Sequence, residues 1–321
     1  EEVVFVNKNA KDIKLAGTLT IPEKVKNPPA VILISGSGPQ DRNEKIFEHE
    51  PFFVLADYLT RQGIAVLRYD DRGIAKSEGE FKSATSYDFS TDAEAALEFL
   101  RTRTDIDINK IGLIGHSEGG MIAPMVASRN KNTAFIILLA APGVTIDKLM
   151  MKQTEDIALG RNIPAEEIQN MLKMNKAVYA AIRGTEDEIT TENKLKDVLA
   201  KNNFAGGNKE ASDSFIKSML SPWFSYFIRF TPEVYLQKVK CPVLALNGDL
   251  DKQVDATMNL EAIREVLKRE NNPDFSLQYL HGLNHLFQEA KTGSETEYAF
   301  IEQTMSPQVL EAIGSWIHKR F

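Results

Sequence analysis

The stretch IGLIGHSEGG, residues 111–120, decides the fold, because an apolar run ends there at a turn that contains glycines and one serine. Gly115, Ser117 and Gly119 fit the pattern G-x-S-x-G, which places a serine on a tight, strained turn between a buried strand and a helix. A side chain at either glycine would collide with neighbouring backbone. The turn also holds the serine at a helix N-terminus, where free N–H groups favour negative charge. The pattern therefore predicts that Ser117 is a nucleophile.

Outward from this turn, short apolar runs alternate with helical patterns. Continuous apolar runs of this length are typical of strands buried on both faces of a parallel sheet. The expected buried strands lie at 30–36, 64–70, 110–117 and 133–140, and two further strands are expected at 241–249 and 274–280. The expected helices lie at 51–63, 91–103, 118–129, 255–269 and 306–320. Two earlier runs, 1–7 and 14–22, have the short-period spacing of strands. The alternation predicts an α/β fold with a mostly parallel, doubly wound sheet and antiparallel strands at the N-terminus.

The alternation breaks between about residues 143 and 237, where helical patterns follow one another without a convincing strand. The strand–helix pattern then resumes, so this segment is inserted into a continuing sheet. We expect a core of residues 1–142 and 238–321 that carries a helical lid, residues 143–237.

The composition of the chain argues against some classes of binding partner and structure. The chain has 321 residues, one cysteine and a formal net charge of −7. This acidic balance argues against a nucleic-acid-binding surface, which needs clustered Lys and Arg, and a single cysteine excludes an intrachain disulfide. No apolar run reaches the roughly 18–20 residues of a membrane span. Because the chain starts at Glu1 rather than Met, we expect a trimmed product that is cytoplasmic or, where a signal peptide was removed, periplasmic or secreted.

A nucleophilic serine needs a base and an acid, and both are expected in loops that follow buried strands. His281 and His285 follow the last predicted strand in YLHGLNHLF, and we favour His285, which lies farther along the loop. Asp249 and Asp251 follow the preceding strand in NGDLDKQV. The order serine, acid, histidine is the one expected for a nucleophile turn of this kind.

The other three histidines are weaker candidates. His116 adjoins the serine in sequence, and its side chain should point away from it. His49 lies in an acidic loop, EKIFEHEP, where we expect a solvated histidine, and His318 is expected at the surface of the last helix.

Two backbone N–H groups are expected to bind an oxyanion. One belongs to Glu118, the residue after the nucleophile. The other is expected in the loop SGSGPQDRN, residues 35–43, where two glycines let the backbone approach a substrate closely. Ser37 is the favoured donor, and Gly38 is the second choice and an expected substrate contact. Loss of one such donor typically lowers turnover by roughly 10²–10³-fold.

Two side chains are candidates for substrate binding. Trp223, in the aromatic stretch PWFSYFIRF at 222–230, is expected to line an acyl pocket, although packing alone would also explain it. The Glu118 carboxylate either binds a cationic substrate group or only favours the helix dipole. The sequence shows no metal-ligand cluster and no dinucleotide fingerprint, so no cofactor is expected.

Taken together, these segments resemble the α/β-hydrolase superfamily, most closely bacterial serine esterases related to the catalytic domains of acylaminoacyl-peptidases and dipeptidyl-peptidases. The matching segments are LAGTLTIP, ISGSGPQDRN, RYDDRGIAKSEG, GHSEGG, PVLALNGDLDKQV and GLNHLFQ. The resemblance implies that the acid is Asp251, the last residue of G-x-x-D, and that the base is His285, the histidine of G-x-N-H. The HGGG segment of lipases and the propeller of large oligopeptidases are missing from this sequence.

The resemblance implies a serine carboxylesterase that hydrolyses small esters of short to medium acyl length through Ser117, His285 and Asp251. An aminopeptidase or acyl-peptide hydrolase with the same triad is the first alternative. A non-catalytic binding protein on a hydrolase scaffold is the second, and it is disfavoured because a binding protein does not need all three residues. The sequence leaves the oligomeric state open.

Overall fold

The computed structural model describes residues 1–185 and 187–321, and this part of the chain forms one eight-stranded sheet. The strands are β1 (Glu2–Asn7), β2 (Ile13–Thr20), β3 (Ala30–Ile34), β4 (Ala65–Tyr69), β5 (Ile111–His116), β6 (Phe135–Leu139), β7 (Val243–Gly248) and β8 (Phe275–Leu280). They lie in the order β1-β2-β4-β3-β5-β6-β7-β8. The β1–β2 and β2–β4 pairs are antiparallel and the other pairs are parallel. The predicted fold class, a mostly parallel sheet with antiparallel N-terminal strands, is confirmed.

The central strands are buried on both faces, as their continuous apolar sequences predict. In β3, Val31 and Leu33 pack into one hydrophobic cluster, whereas Ile32 and Ile34 pack into another. This alternation follows from the two-residue period of a strand. Each face of the sheet therefore has its own hydrophobic core.

Helices cover both faces of the sheet. Helices α2 (Ser86–Leu100), α3 (Gly119–Ala127) and α10 (Ala256–Arg269) pack on one face, and α1 (Pro51–Arg61) and α11 (Pro307–His318) pack on the other. Helix α2 begins at Ser86 rather than at the predicted residue 91. The reason is a capping box: the Thr85 side chain accepts the Asp88 N–H, and the Asp88 side chain accepts the Thr85 N–H. This cap lies upstream of the helical pattern on which the prediction depended.

Between β6 and β7 the described residues form further helices. These are α4 (Ile146–Gly160), α5 (Ala165–Arg183), α6 (Glu188–Lys201), α7 (Lys209–Met219), α8 (Pro222–Arg229) and α9 (Glu233–Leu236). Their apolar residues form a third cluster, which also contains Met121 and Met125 of α3 and Val254 after β7. The insertion thus packs at the carboxyl edge of the sheet, where β5 and β7 end. Within the described residues, neither these helices nor the others are long and apolar enough to cross a membrane.

Candidate active site

Ser117 lies on the turn between β5 and α3 with a φ of +53°, in the left-handed region. Its N–H donates to Leu139 O at 2.8 Å, so the turn is joined to the end of β6. A Cβ at residue 115 would lie 2.0 Å from Gly119 O, and a Cβ at residue 119 would lie 2.1 Å from Ile34 O. Close backbone contact therefore requires both glycines, and it holds the serine in a conformation that is strained for a residue with a side chain.

His285 and Asp251 form a buried pair. His285 Nδ1 lies 2.8 Å from Asp251 Oδ2, and each residue is 4% exposed. Asp251 Oδ1 accepts the N–H groups of Gln253, at 2.8 Å, and Val254, at 2.9 Å, which fix the orientation of the carboxylate. Because an ionised carboxylate only accepts, the proton of a neutral His285 belongs on Nδ1, and Nε2 keeps its lone pair. In residues 1–185 and 187–321, neither His285 Nε2 nor Ser117 Oγ has a hydrogen-bond partner.

The two loops that carry this pair are packed tightly together. Leu250 N–H donates to Leu283 O at 3.0 Å, which joins the loop after β7 to the loop after β8. A Cβ at Gly248 would lie 2.1 Å from Leu283 O, so only glycine permits this approach. The fully buried Asn284 side chain accepts Leu286 N–H at 3.0 Å and closes the turn around the histidine. The glycine and asparagine in these loops therefore have local structural roles.

His281 and Asp249 form a second pair. His281 Nδ1 lies 2.6 Å from Asp249 Oδ2, and the same carboxylate accepts Gly282 N–H at 2.7 Å. The His281 side chain is 96% exposed, so water screens this interaction. The two His–Asp pairs that the sequence offers thus have opposite environments, one buried and one exposed.

The loop after β3 approaches the turn of Ser117 closely. A Cβ at Gly36 would lie 3.3 Å from Ser117 Cβ. Within the described part of the chain, the backbone N–H groups of Ser37 and Glu118 donate to no protein acceptor, so both are free to bind a ligand. Ser37 is exposed, and Gly38 is half-buried with a φ of +102°. The Glu118 N–H lies at the start of α3, where the helix dipole favours an anion.

The side chain of His116 contacts the loop of His285, a position that the sequence did not reveal. The two ring centroids are 4.9 Å apart, and His116 Nε2 lies 3.0 Å from His285 O. His116 Nδ1 lies 2.9 Å from Glu44 Oε1. Burial is the largest single effect and lowers the pKa of His116, but the Glu44 carboxylate, His285 O and Asp251 together raise it by more, so the net shift of that pKa is upward. Sequence reasoning missed Glu44, because no local pattern marks it as a partner of the turn of Ser117.

The remaining histidines lie elsewhere. His49 is buried, so the expectation of a solvated side chain is wrong. Its ring nitrogens lie 3.0 Å from Thr304 Oγ1 and 3.0 Å from Tyr298 O, both in a segment far along the chain that covers the acidic loop. His318 is exposed at the end of α11, as expected.

The Glu118 carboxylate is buried and hydrogen-bonded to two side chains. Its Oε1 accepts the Ser86 hydroxyl at 2.6 Å, and its two oxygens accept Trp223 Nε1–H at 2.9 and 3.1 Å. Burial raises the pKa of this carboxyl, and the two donors offset only part of the rise. The half-buried Trp223 indole also stacks on Phe227, with ring centroids 4.9 Å apart. Neither sequence-based interpretation of Glu118 included this contact between α8 and the residue after Ser117.

The site therefore combines a strained serine, a nearby imidazole with a free lone pair and two unpaired N–H groups at one edge of the sheet. Nucleophilic attack on a carbonyl carbon needs these groups: an activated hydroxyl, a base that takes its proton and donors for the oxygen that becomes negative. The apolar cluster of the insertion includes Met121 and Met125 of α3, the helix that follows Ser117.

Comparison with known proteins gives a family match. Residues 48–290 match the sequence model of the family described as serine aminopeptidase, S33. The esterase EstD of Thermotoga maritima is 26% identical over 310 residues, which are 95% of this chain and 66% of EstD. The chain thus spans slightly less than two thirds of the length of that relative.

Solved structures share the fold. The α/β hydrolase GrgF from Penicillium sp. sh18 has a TM-score of 0.62 at 16% identity, over 99% of this chain and 98% of that structure. An esterase from Pyrococcus furiosus has a TM-score of 0.60 at 19% identity, over 100% of this chain and 91% of that structure. At such low identity, this likeness shows the fold alone.

Proposed function

This chain belongs to the serine aminopeptidase S33 family of α/β hydrolases, and we propose that it is a serine carboxylesterase. The observation that carries the proposal is the buried His285–Asp251 pair, with Nδ1 and Oδ2 2.8 Å apart. The His285 ring lies 4.9 Å from the ring of His116, the residue before Ser117, so the pair is close to the nucleophile turn. The similarity to a relative named an esterase supports the same activity.

In the proposed reaction, the Ser117 hydroxyl oxygen attacks the ester carbonyl carbon while His285 Nε2 takes the hydroxyl proton. Asp251 holds His285 in the required tautomer and stabilises the imidazolium that forms. The carbonyl oxygen becomes an oxyanion, which the N–H groups of Ser37 and Glu118 bind.

The bond between the carbonyl carbon and the alcohol oxygen then breaks, and His285 gives its proton to the departing alcohol. An acyl ester on Ser117 remains. Water attacks this ester while His285 Nε2 takes a proton from the water. The second tetrahedral intermediate then collapses, the carboxylic acid leaves, and the serine oxygen regains a proton from His285.

The proposed substrate is a small ester with an acyl group of short to medium length. Residues 143–237 act as a lid on the core, and their aromatic and methionine side chains give an apolar, adaptable surface for the acyl group. Trp223 is the lid side chain bonded to the residue after the nucleophile, so we assign it to the wall of the acyl pocket. Gly38 adjoins the oxyanion donor Ser37, and the absence of a side chain there leaves room for the substrate.

An aminopeptidase or acyl-peptide hydrolase is the second candidate, because the family description favours it. A substrate with a free α-ammonium group needs a carboxylate close to the scissile bond. Glu118 is the acid next to the nucleophile, but both of its oxygens already accept hydrogen bonds from Trp223. This arrangement favours esters over aminoacyl substrates.

Hydrolysis of p-nitrophenyl esters of increasing acyl length, measured for the wild type and for Ser117→Ala, tests the proposal. We expect the highest turnover on short to medium chains and a loss of at least roughly 10³-fold in the variant. Full activity in Ser117→Ala would overturn the serine mechanism. Fluorophosphonate labelling of Ser117 without ester turnover, together with hydrolysis of aminoacyl p-nitroanilides, would select the second candidate. An unlabelled, inactive protein would favour the binding-protein alternative.

A further inference from the structure

His116 has hydrogen-bond acceptors at both ring nitrogens. Nε2 lies 3.0 Å from His285 O, and because a carbonyl oxygen only accepts, Nε2 carries a proton. Nδ1 lies 2.9 Å from Glu44 Oε1, where a neutral ring would set its lone pair against an ionised carboxylate. Both contacts are satisfied when His116 is doubly protonated and Glu44 is ionised.

The surroundings of His116 agree with this protonation state. His116 is 7% exposed and Glu44 is 5% exposed, and buried charges occur in proteins as pairs. The titratable groups that face His116 are Glu44, His285 and, at longer range, Asp251. Of these, Glu44 is the carboxylate in direct contact, and it is the largest of the effects that together outweigh burial and place the pKa of His116 above its ordinary value.

Glu44 also holds the loop that carries the oxyanion donor. Its Oε1 accepts Gly36 N–H at 2.5 Å, and Gly36 directly precedes Ser37. Glu44 itself has a φ of +52°, which is strained for a residue with a Cβ and persists only where surrounding contacts enforce it. The carboxylate is therefore placed to fix the peptide that leads to the Ser37 N–H.

We propose that Glu44 and His116 form a second charge pair, which positions the catalytic groups without touching the substrate. Through Gly36 N–H the pair sets the oxyanion loop, and through His285 O it sets the base. His116 also directly precedes the nucleophile. This inference rests on the proposed function, because the pair performs no reaction of its own. Loss of such positioning should lower kcat with little change in KM, since it acts on the transition state more than on substrate binding.

The first test is Glu44→Gln, which keeps the size and an acceptor oxygen but removes the charge. On a p-nitrophenyl ester we expect kcat to fall about 10–100-fold with KM within about threefold, because small misplacement of reacting groups has effects of this order. Glu44→Asp restores the charge and should recover part of the loss. The control is His318→Gln, an exposed histidine at the end of α11, and its kcat should stay within about twofold of wild type because that end of α11 lies beside Lys110, before β5, whereas Ser117 follows β5.

The second test reads the protonation state of His116 directly. Nitrogen NMR of the histidine rings, with His116→Gln used for assignment, should show both His116 nitrogens protonated at pH 7, above the ordinary histidine pKa of about 6.5. In Glu44→Gln one of these protons should be lost. An unprotonated Nδ1 in the wild type would overturn the charge pair, and an unchanged kcat in folded Glu44→Gln would overturn its positioning role.

Controls separate this inference from the proposed function. Ser117→Ala should be inactive but should keep the His116 signal. If the wild type neither turns over esters nor becomes labelled at Ser117, the proposed function fails while the NMR signal still tests the charge pair. If Glu44→Gln does not fold, His116→Gln and the double variant replace it: residues that act as a unit should give a double variant no slower than the slower single variant.

Discussion

Trp223 Nε1 donates to both carboxylate oxygens of Glu118, at 2.9 and 3.1 Å, and so joins the helical insertion to the residue that follows Ser117. The indole is half-buried on α8, whereas the carboxylate is buried at the start of α3. Hydrogen bonds to a buried charge are stronger than neutral ones, because the carboxylate has lost its water. This charge-assisted contact therefore adds to the apolar packing that holds the insertion at the candidate site.

Trp223→Phe should destabilise the protein more when Glu118 is ionised than when it is protonated. Phenylalanine removes the indole N–H and leaves the buried carboxylate with the Ser86 hydroxyl alone. Loss of a hydrogen bond to a charged group costs roughly 1.5–3 kcal/mol. Urea unfolding of wild type and variant between acidic and neutral pH measures the effect, and the loss in free energy of unfolding should grow as the pH rises.

Trp316→Phe is the matched control for this experiment. Trp316 is the other tryptophan of the chain, and within residues 1–185 and 187–321 its buried Nε1 has no hydrogen-bond partner. The replacement removes volume from the core but no hydrogen bond, so its effect should not follow the titration of Glu118. Equal pH dependence in the two variants would contradict the role assigned to Trp223.

The free energy of unfolding of Glu118→Gln, compared with that of wild type, should increase as the pH rises. Burial raises the pKa of this carboxyl in the folded protein, and the hydrogen bonds from Ser86 and Trp223 offset only part of the rise. A raised pKa means that the folded state binds the proton more tightly than the unfolded state. The corresponding stability is present below the unfolded value of about 4.3 and is lost as the pH rises through the folded value. Glutamine does not titrate, so the variant escapes this loss.

The measurement is the free energy of unfolding of Glu118→Gln minus that of wild type, taken by urea unfolding at steps from acidic to neutral pH. The difference should increase with pH. Glu311→Gln provides a control, because Glu311 is exposed on α11 and its replacement should give a difference that changes little over the same range. A constant difference for Glu118→Gln would show that burial does not govern the titration of this carboxyl.

His285→Gln should lower kcat by roughly 10²–10⁴-fold or more, the usual contribution of a general base. His281→Gln removes a similar His–Asp contact from an exposed position and should leave kcat close to that of wild type. The acids form the second comparison: Asp251→Asn should lower kcat by about 10⁴-fold, since the imidazole would lose its required tautomer, whereas Asp249→Asn should have little effect. Steady-state kinetics on a p-nitrophenyl ester gives all four values, and the opposite ranking would move the proposed base and acid to the exposed pair.

The central strands and the turn of Ser117 are predictable from sequence because their signals are local. Continuous apolar runs specify strands buried on both faces, and each is short enough to read in one window. The glycines of G-x-S-x-G reflect contacts among neighbouring backbone segments, such as the 2.1 Å approach of a Cβ at Gly119 to Ile34 O. The start of α2 was missed because its signal, the Thr85–Asp88 capping box, precedes the helical pattern.

The side-chain network around the site is not predictable in this way, because its members are far apart in sequence. Glu44 lies 72 residues before His116, and Trp223 lies 105 residues after Glu118. No period or short motif links such pairs, so a single sequence gives each residue only its default interpretation. The default interpretations of Glu118 were that its carboxylate favours the helix dipole or binds a cationic group. In the fold, the carboxylate instead accepts hydrogen bonds from Ser86 and Trp223.

Gly115→Ala should destabilise the protein strongly, because the added Cβ would lie 2.0 Å from Gly119 O and 2.7 Å from the next backbone nitrogen. Backbone atoms cannot rotate away as a side chain can, so the turn of Ser117 must shift. Overpacking typically costs about 1–3 kcal/mol and occasionally more, and we expect the upper end of this range or beyond. Gly160→Ala, at the end of α4 with nothing within 4 Å of the added atom, is the matched control and should be neutral or stabilising by up to about 1 kcal/mol. Urea unfolding measures both changes, and ester hydrolysis measures whether the shifted turn still supports turnover. A Gly115→Ala protein with the stability and kcat of wild type would mean that the turn has room for a side chain, and that close backbone contact does not hold Ser117 in its strained conformation.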